Sequence, residues 1–215
     1  MLEPKSCNAS CAAFARGLHR RAEATGLLTT RTGVSVSDFQ TAPGSDGQRR
    51  VSGLVLSSGQ QLEVPANGAV VVAAGSWTPL LLRQLDLLVP LYPLKGHSLL
   101  AELTAQEAQA AAPSRIVIEP SSNLFFSRYG SQFRVAAFGQ FAGWDTRPDP
   151  RLTAQLRRAA GELWPDLAEH FDQAQVVAGL RPFVADGALL LGQDDTYRYG
   201  DVVWAGQREA DCAAL

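Results

Sequence analysis

An unbroken apolar run at 69–75 (AVVVAAG) constrains the fold of this chain more than any other feature. Its β-branched residues show no alternation of polar and apolar positions, which is typical of a strand covered on both faces in an α/β sheet. Ser76 or Thr78 can then cap a helix, and Pro79 suits its first turn. We therefore predict a strand, a tight glycine turn and a helix start. Such a junction presents backbone N–H groups where open α/β sheets bind ligands.

The rest of the pattern predicts a mixture of helices and antiparallel strands. Asp149 as N-cap and Pro150 at the first position open a helix that Pro165 closes. The hairpin at 51–64 is expected to be short and to face solvent. The predicted segments are helices at 8–25 and 150–164, a short helix or loop at 105–113, and strands at 27–39, 51–56, 61–64, 92–103, 115–118, 123–127, 133–138, 176–180 and 188–192, with a turn at 44–47.

Composition excludes several classes of function. The chain has 215 residues, with 19 Lys and Arg against 21 Asp and Glu, so no cationic excess favours nucleic acid. Its apolar stretches are far shorter than the roughly 20 residues of a membrane-spanning helix. The first residues lack the pattern of a secretory signal. The odd number of cysteines, 3, is typical of a reducing compartment. We expect a cytoplasmic protein without a metal site, and leave peripheral association with a membrane face open.

Familiar catalytic and nucleotide-binding motifs are absent. No two glycines are separated by a single residue, so the sequence contains no G-x-G-x-x-G fingerprint, and it contains no P-loop. His97 and Ser98 are adjacent, but neighbouring strand residues point to opposite faces. They therefore cannot form the nucleophile and base of a serine hydrolase.

Two short motifs could carry a binding site, and each has a plain structural alternative. The Gly75 and Trp77 turn could contact a ligand, or could use glycine for a positive φ and tryptophan for packing. Arg181, in Gly-Leu-Arg-Pro at 179–182, could grip a carboxylate through two parallel hydrogen bonds. It could equally be a surface arginine paired with Asp186.

The order of these motifs resembles one known family. The stretches are VVVAAGSWTP at 70–79, PLKGHS at 93–98, GQFAGWDTRPDP at 139–150 and GLRP at 179–182. Together they resemble the D-amino-acid oxidase-like FAD-dependent oxidoreductases, on the branch that contains the D-amino-acid dehydrogenase small subunit, with glycine oxidase as a cousin. The resemblance covers about residues 8 to 192.

The resemblance implies a cofactor, a substrate and a reaction. It implies FAD, and a D-amino acid oxidised to a 2-oxo acid and ammonia by hydride transfer to the flavin, with no essential catalytic side chain. It implies substrate binding by Arg181, and places His97 on a stretch whose role varies between relatives, as a second candidate. The implied cofactor-binding residues are Val34, Ala73, Ala74, Gly75, Trp77 and Gly179.

The chain also departs from that family. It has neither the glycine-rich β-α-β unit nor the glycine-rich segment that closes over the flavin, so we expect a piece truncated at both ends. Alone, this piece should not bind FAD tightly and should be weak or inactive. The expected fold class is mixed α/β, with part of a Rossmann-like FAD-binding domain at 1–90, an antiparallel substrate domain at 91–178, and a return strand with a divergent tail at 179–215. The alternative is a non-catalytic assembly module of the same fold that completes a partner chain.

Overall fold

The computed structural model describes residues 10–44, 49–187, 190–193 and 202–205. The chain divides into two compact units, the first built mainly from Leu94–Arg181 and the second mainly from Ala22–Pro93 with residues after Pro182. Within the described residues, no helix is long and apolar enough to span a bilayer.

The described residues contain five α-helices, three 3-10 helices and eleven strands. The helices are α1 (Cys11–Glu23), α2 (Thr78–Leu82), α3 (Ala105–Ala110), α4 (Pro150–Leu163) and α5 (Ala168–Gln173). The strands are β1 (Val36–Pro43), β2 (Arg49–Leu56), β3 (Gln61–Glu63), β4 (Val70–Val72), β5 (Tyr92–Glu102), β6 (Val117–Glu119), β7 (Leu124–Tyr129), β8 (Gln132–Phe141), β9 (Gln175–Phe183), β10 (Leu191–Gln193) and β11 (Val202–Ala205). They form three sheets, with orders β1-β2-β3, β10-β11-β4 and β6-β7-β8-β5-β9.

The first unit contains a five-stranded sheet with α3, α4 and α5 packed on one face. Leu99 of β5, Phe133 of β8 and Leu156 of α4 are fully buried in one cluster. The indole of Trp164 lies 4.3 Å from the ring of Phe126 between centroids, and it donates a hydrogen bond to a backbone carbonyl at 3.0 Å. The opposite face carries polar side chains, among them Ser98 and Arg134.

A bulge in β8 changes which of its side chains share a face. Gly96 pairs with Gly139, but His97 pairs with Ala137, so Phe138 is an extra residue, and its φ is +61°. Because paired residues lie on the same face, Gln140 shares a face with Lys95.

The second unit combines two three-stranded sheets around a smaller core. Val51, Val72 and Leu82 are buried together in it. Strand β4 pairs in parallel with β11, which in turn pairs antiparallel with β10. The parallel pair leads directly into a 3-10 turn at Gly75–Trp77 and then into α2.

The mixed fold class is confirmed, and several predicted elements are too. Helix α4 begins at Pro150, capped by Asp149, whose Oδ1 accepts the Arg151 N–H at 2.8 Å. The extended segment predicted at 92–103 is β5, and the predicted meander is β6 to β8. The turn predicted at 44–47 lies largely outside the described residues, as does the start of the strand predicted at 188–192.

Four predictions about local structure are wrong. Residues 27–35 do not join a strand, since Gly33 interrupts the extended chain with a φ of +74°. The hairpin is not wholly solvent-facing, because Val51 is fully buried. Strand β4 is not covered on both faces, because Val71 is 65% exposed. Neither Ser76 nor Thr78 caps α2: the 3-10 turn runs into the helix and makes Trp77 its N-cap, without a side-chain hydrogen bond.

Strand β11 was not predicted at all. The strand has only four residues, which are apolar and show no alternation of polar and apolar positions. Its partner β4 lies far away in sequence, so no local signal marks the pairing. The apolar stripe of α1 was predicted, but nothing in the described residues covers it: Phe14 is 72% and Leu18 58% exposed.

Candidate functional site

The turn after β4 is shaped by its glycine. The Trp77 N–H donates to the Ala74 carbonyl at 3.0 Å, which closes the 3-10 turn. Gly75 has a φ of +54°, a conformation that favours glycine, and a Cβ added there would meet no atom within 4 Å among the described residues. The backbone at the carboxyl end of this strand is therefore open to close approach by a ligand.

A cleft of about 520 Å³ lies beside this turn. Trp77 lines it with 45% of its surface exposed, as does Leu80, which is 39% exposed. The remaining lining residues are Ser35, Val36, Ala74, Leu81 and Gln84. Its size and mainly apolar walls are typical of a small-molecule site.

The structure brings some of the predicted cofactor-binding residues to this cleft and leaves others out. Ala74 and Trp77 line it. Val34 is 39% exposed and directly precedes Ser35 and Val36, which both line the cleft. Ala73 and Gly75 are the chain neighbours of Ala74 in the turn. Gly179 lies on β9, in the sheet of the first unit.

The second predicted site lies on the sheet face opposite the helices of the first unit. Val176 packs against the helix-side core, so the two-residue alternation of β9 places Gly179 and Arg181 on the other face. A Cβ at Gly179 would meet no atom within 4 Å among the described residues, which leaves the face open beside Arg181.

Ser98 and Arg134 share this face. Strand β5 is the neighbour of both β8 and β9 in the sheet. The Ser98 Oγ accepts hydrogen bonds from Nε of Arg134 at 3.2 Å and from its Nη2 at 3.1 Å. Burial, and then the nearby positive charge of Arg181, lower the pKa of Arg134, while Tyr129 and Cys11 act in the opposite direction.

No described carboxylate forms an ion pair with Arg181 or Arg134. The alternative in which Arg181 is neutralised by Asp186 has no support in the described residues. Both guanidinium groups can therefore interact with an anion that is not part of these elements.

His97 lies on the helix side of the sheet. It is 1% exposed, and its Nε2 accepts the Asp149 N–H at 3.1 Å at the start of α4. Its Nδ1 is buried without a hydrogen-bond partner in the described part of the chain. Burial, and then the positive charge of Lys95, lower the pKa of His97, while Asp149 opposes them. The structure does not bring His97 and Arg181 together.

This placement confirms that His97 and Ser98 do not face each other. His97 contacts the start of α4, while Ser98 holds Arg134 on the opposite face. Adjacent residues of β5 thus serve different faces, as the strand period requires.

A polar cavity of about 600 Å³ lies at the start of α4. Lys95 is 2% exposed, and its Nζ donates to the Arg147 carbonyl at 3.0 Å and lies 3.5 Å from Oδ2 of Asp145. Hydrogen bonds from Arg147 hold the pKa of Asp145 far below its usual range, and Lys95 lowers it further. The buried ammonium fastens the 142–149 loop to β5.

The sequence analysis missed the roles of Ser98, Arg134 and Asp145. Alternation along β5 and β8 could have placed Ser98 and Arg134 on one face, given the strand order. That order is a long-range property that the sequence pattern does not contain.

The fold and these two sites define a class of protein. A parallel strand that ends in a glycine turn beside an apolar cleft is the position at which open α/β sheets bind small molecules. The family model of FAD-dependent oxidoreductases (DAO) matches residues 1–209, and the chain belongs to this family.

Similar proteins agree with this assignment. A D-amino acid dehydrogenase of Xanthobacter autotrophicus is 32% identical over 165 residues, which cover 77% of this chain and 36% of that protein. The crystal structure of iminodiacetate oxidase from Chelativorans matches the fold with a TM-score of 0.69 at 22% identity, covering 94% of this chain and 50% of that one. Glycine oxidase from Geobacillus kaustophilus matches with a TM-score of 0.63 at 21% identity, covering 84% and 44%. The chain thus spans about a third to a half of the length of these relatives.

The cleft beside Trp77 fits part of FAD. It offers an accessible indole, apolar walls and a glycine turn with room above it, which suit a flat ring system. No glycine-rich phosphate loop occurs in this sequence. The fit therefore concerns a ring of the cofactor and not its pyrophosphate.

Proposed function

We propose that this chain forms the substrate-binding part of an enzyme that oxidises D-amino acids to 2-oxo acids and ammonia. Its membership of the FAD-dependent oxidoreductases and its similarity to a D-amino acid dehydrogenase support this reaction. The one structural observation that carries the proposal is Arg181, a guanidinium on an open sheet face without an ion pair to any described carboxylate.

Arg181 binds and orients the substrate in this proposal. Its planar fork donates two parallel hydrogen bonds to the α-carboxylate, which fixes the direction of the α-carbon. Gly179, two residues earlier on the same face, leaves room for the substrate because it has no side chain.

The turn after β4 holds the cofactor in this proposal. Trp77 and Ala74 contact a ring of FAD in the cleft, and Gly75 allows close approach of the backbone. When bound, FAD supplies two-electron oxidation at the α-carbon, and hydrolysis of the imino acid follows. No described side chain is assigned as a base, because in the proposed hydride transfer the substrate amine is already neutral.

His97 has a positioning role in this proposal. Although the sequence makes it a candidate for substrate contact, it is 1% exposed and already bonded to the start of α4. It therefore supports the sheet from the side opposite Arg181.

Binding measurements on the full chain test the proposal. With FAD present, calorimetric titration with D-alanine should show binding that Arg181→Ala weakens by about tenfold or more, because a charge-assisted pair of hydrogen bonds is lost. Arg181→Lys keeps the charge but loses the fork, so it should retain part of the affinity. Unchanged D-alanine affinity in Arg181→Ala would contradict the assignment.

A matched pair of variants tests the cofactor site. Binding of FAD, followed by flavin fluorescence, should weaken in Trp77→Ala, because the ring loses its stacking surface. Trp144→Ala removes a similarly exposed indole outside the cleft and should leave the affinity unchanged. Equal effects of the two variants would contradict the site.

A second candidate function is an assembly module that completes a partner chain. Val71 supports it, because this central residue of β4 is 65% exposed, and an exposed apolar strand is a surface for pairing. Size-exclusion chromatography distinguishes the two: stable heterocomplexes support this candidate, and a monomer with FAD and substrate binding contradicts it.

Two further interpretations stay proposals. We infer a reducing, cytoplasmic compartment from the odd number of cysteines, of which Cys11 is an exposed free thiol. The domain boundaries near residues 90 and 178 stay predictions.

A further inference from the structure

Two arginines without acidic partners share one sheet face, and only one is needed for an α-carboxylate. Arg181 on β9 and Arg134 on β8 lie on strands that flank β5. In the described residues, neither forms an ion pair. Two neighbouring positive charges repel each other, so an arrangement without an acid is unfavourable until an anion binds.

Ser98 fixes the direction of Arg134. Its hydroxyl oxygen accepts from both Nε and Nη2, at 3.2 and 3.1 Å, and Ser98 itself is 7% exposed. The Nη1 group of Arg134 makes no hydrogen bond to any described residue. The guanidinium of Arg134 is half-buried, and Ser98 holds its Nε and Nη2. Its Nη1 is therefore a donor of fixed direction that a ligand could use.

The sheet face limits where that ligand lies. Gly179 has open space where a side chain would be, next to Arg181 on the same strand. This space lies on the same sheet face as Arg134, which is one strand beyond β5.

We propose that Arg134, positioned by Ser98, is a second carboxylate-binding residue, and that the substrate class is an amino acid with an acidic side chain, whose α-carboxylate binds Arg181. This inference rests on the proposed function. It adds a specificity-determining residue to it, since a neutral substrate would leave Arg134 without an anion.

The experiment uses two carboxylic acids that have no amino group, so the proposed oxidation cannot consume them during the titration. Succinate has two carboxylates and propionate has one. Calorimetric titration of the full chain with FAD present should show succinate binding about tenfold more tightly than propionate, the value of one charge-assisted contact. Arg134→Gln should lower the succinate affinity to that of propionate and leave propionate unchanged.

Two further variants separate charge and positioning effects. Arg158→Gln removes the same charge from an exposed position on α4 and should change neither affinity. Ser98→Ala should weaken succinate binding alone, because Arg134 loses its fixed direction, and Ser98→Thr should restore it by keeping the hydroxyl. Far-UV circular dichroism checks that each variant is folded.

The outcomes distinguish this inference from the proposed function. Equal affinity for succinate and propionate overturns the second site, and so does equal weakening of both by Arg134→Gln. In either case, propionate binding that depends on Arg181 still supports the proposed function. Failure of both acids to bind overturns both. A loss of succinate affinity in Arg158→Gln as large as in Arg134→Gln reduces the effect to net charge and overturns the inference.

Discussion

The buried imidazole of His97 should make the stability of the first unit depend on pH. Its Nε2 accepts the Asp149 N–H, so the neutral ring carries its proton on Nδ1. Protonation would place a second proton on Nε2, directly opposite the Asp149 N–H, and break that hydrogen bond. Burial and the charge of Lys95 also oppose the charged form and lower the folded-state pKa of His97, while the Asp149 carboxylate acts in the opposite direction.

The direction of the pH effect follows from this lowered pKa. In the unfolded chain, His97 takes up a proton as the pH falls through about 6.5, while in the folded chain it does so only at lower pH. The stabilisation by neutral His97 is thus fully present above pH 6.5. It is lost progressively as the pH falls from there towards the folded-state pKa.

The magnitude has an upper limit set by one proton. Between the two pKa values, the free energy of unfolding should fall by at most about 1.4 kcal/mol per pH unit. Above this window, His97→Leu should cost about 1 to 3 kcal/mol, because the Asp149 N–H is left without an acceptor. His97→Gln supplies an amide oxygen in its place and should cost less.

Urea denaturation at a series of pH values from 8 to 5 measures this effect through tryptophan fluorescence. The two variants at His97 should lose the fall in stability below pH 6.5. His19→Gln, which removes an exposed imidazole from α1, should retain it. If His97→Gln keeps the full pH dependence of the parent chain, the imidazole does not carry the effect and the reasoning is refuted.

Three further variants test the packing and the turns. Leu156→Ala should lower the free energy of unfolding by about 3 kcal/mol in urea denaturation, because a fully buried side chain leaves a cavity; a loss under about 1 kcal/mol would contradict tight packing there. Thr104→Ala removes the hydroxyl that accepts the Glu107 N–H at the start of α3 and should cost about 1 kcal/mol, whereas Thr104→Ser should be neutral. Gly75→Ala should cost about 1 kcal/mol through its positive φ alone, since no described atom lies within 4 Å of the added Cβ, and an unchanged thermal midpoint would refute that strain.

Local sequence signals predicted the elements that depend on local physics. Asp149 and Pro150 specify the start of α4 because capping and a fixed φ act within a few residues. The meander strands followed from short strand-like runs at regular spacing, a signal that also depends only on nearby residues. The glycine turn after β4 was predicted in the same way.

Long-range pairing set the features that could not be predicted. Strand β11 exists because it pairs with β4, and its own sequence has no alternation to mark it. Val71 was expected to be covered because β-branched runs are usually buried, but its 65% exposure shows that no described element packs over its face of β4.

The residues of the candidate sites show the same difference between local and long-range signals. Arg181 and Trp77 stand beside glycines in short motifs, so the sequence marked them. Arg134 stands in an ordinary strand, and only the strand order brings it near Arg181 and Ser98. The burial of His97 beneath α4 is likewise a tertiary effect.

The single extra residue of β8 makes this strand sensitive to insertions and deletions. Because of Phe138, residues 137 and 140 lie on the same face although they are three apart. Deleting one residue there would turn Gln140 away from Asp149, with which it shares a hydrogen bond at 3.1 Å, and would rotate the following loop out of reach of Lys95. Relatives that align here with a one-residue gap should therefore lack the contact between Lys95 and the 142–149 loop. A two-residue gap keeps the alternation of faces along the strand, so relatives with such a gap should keep this contact.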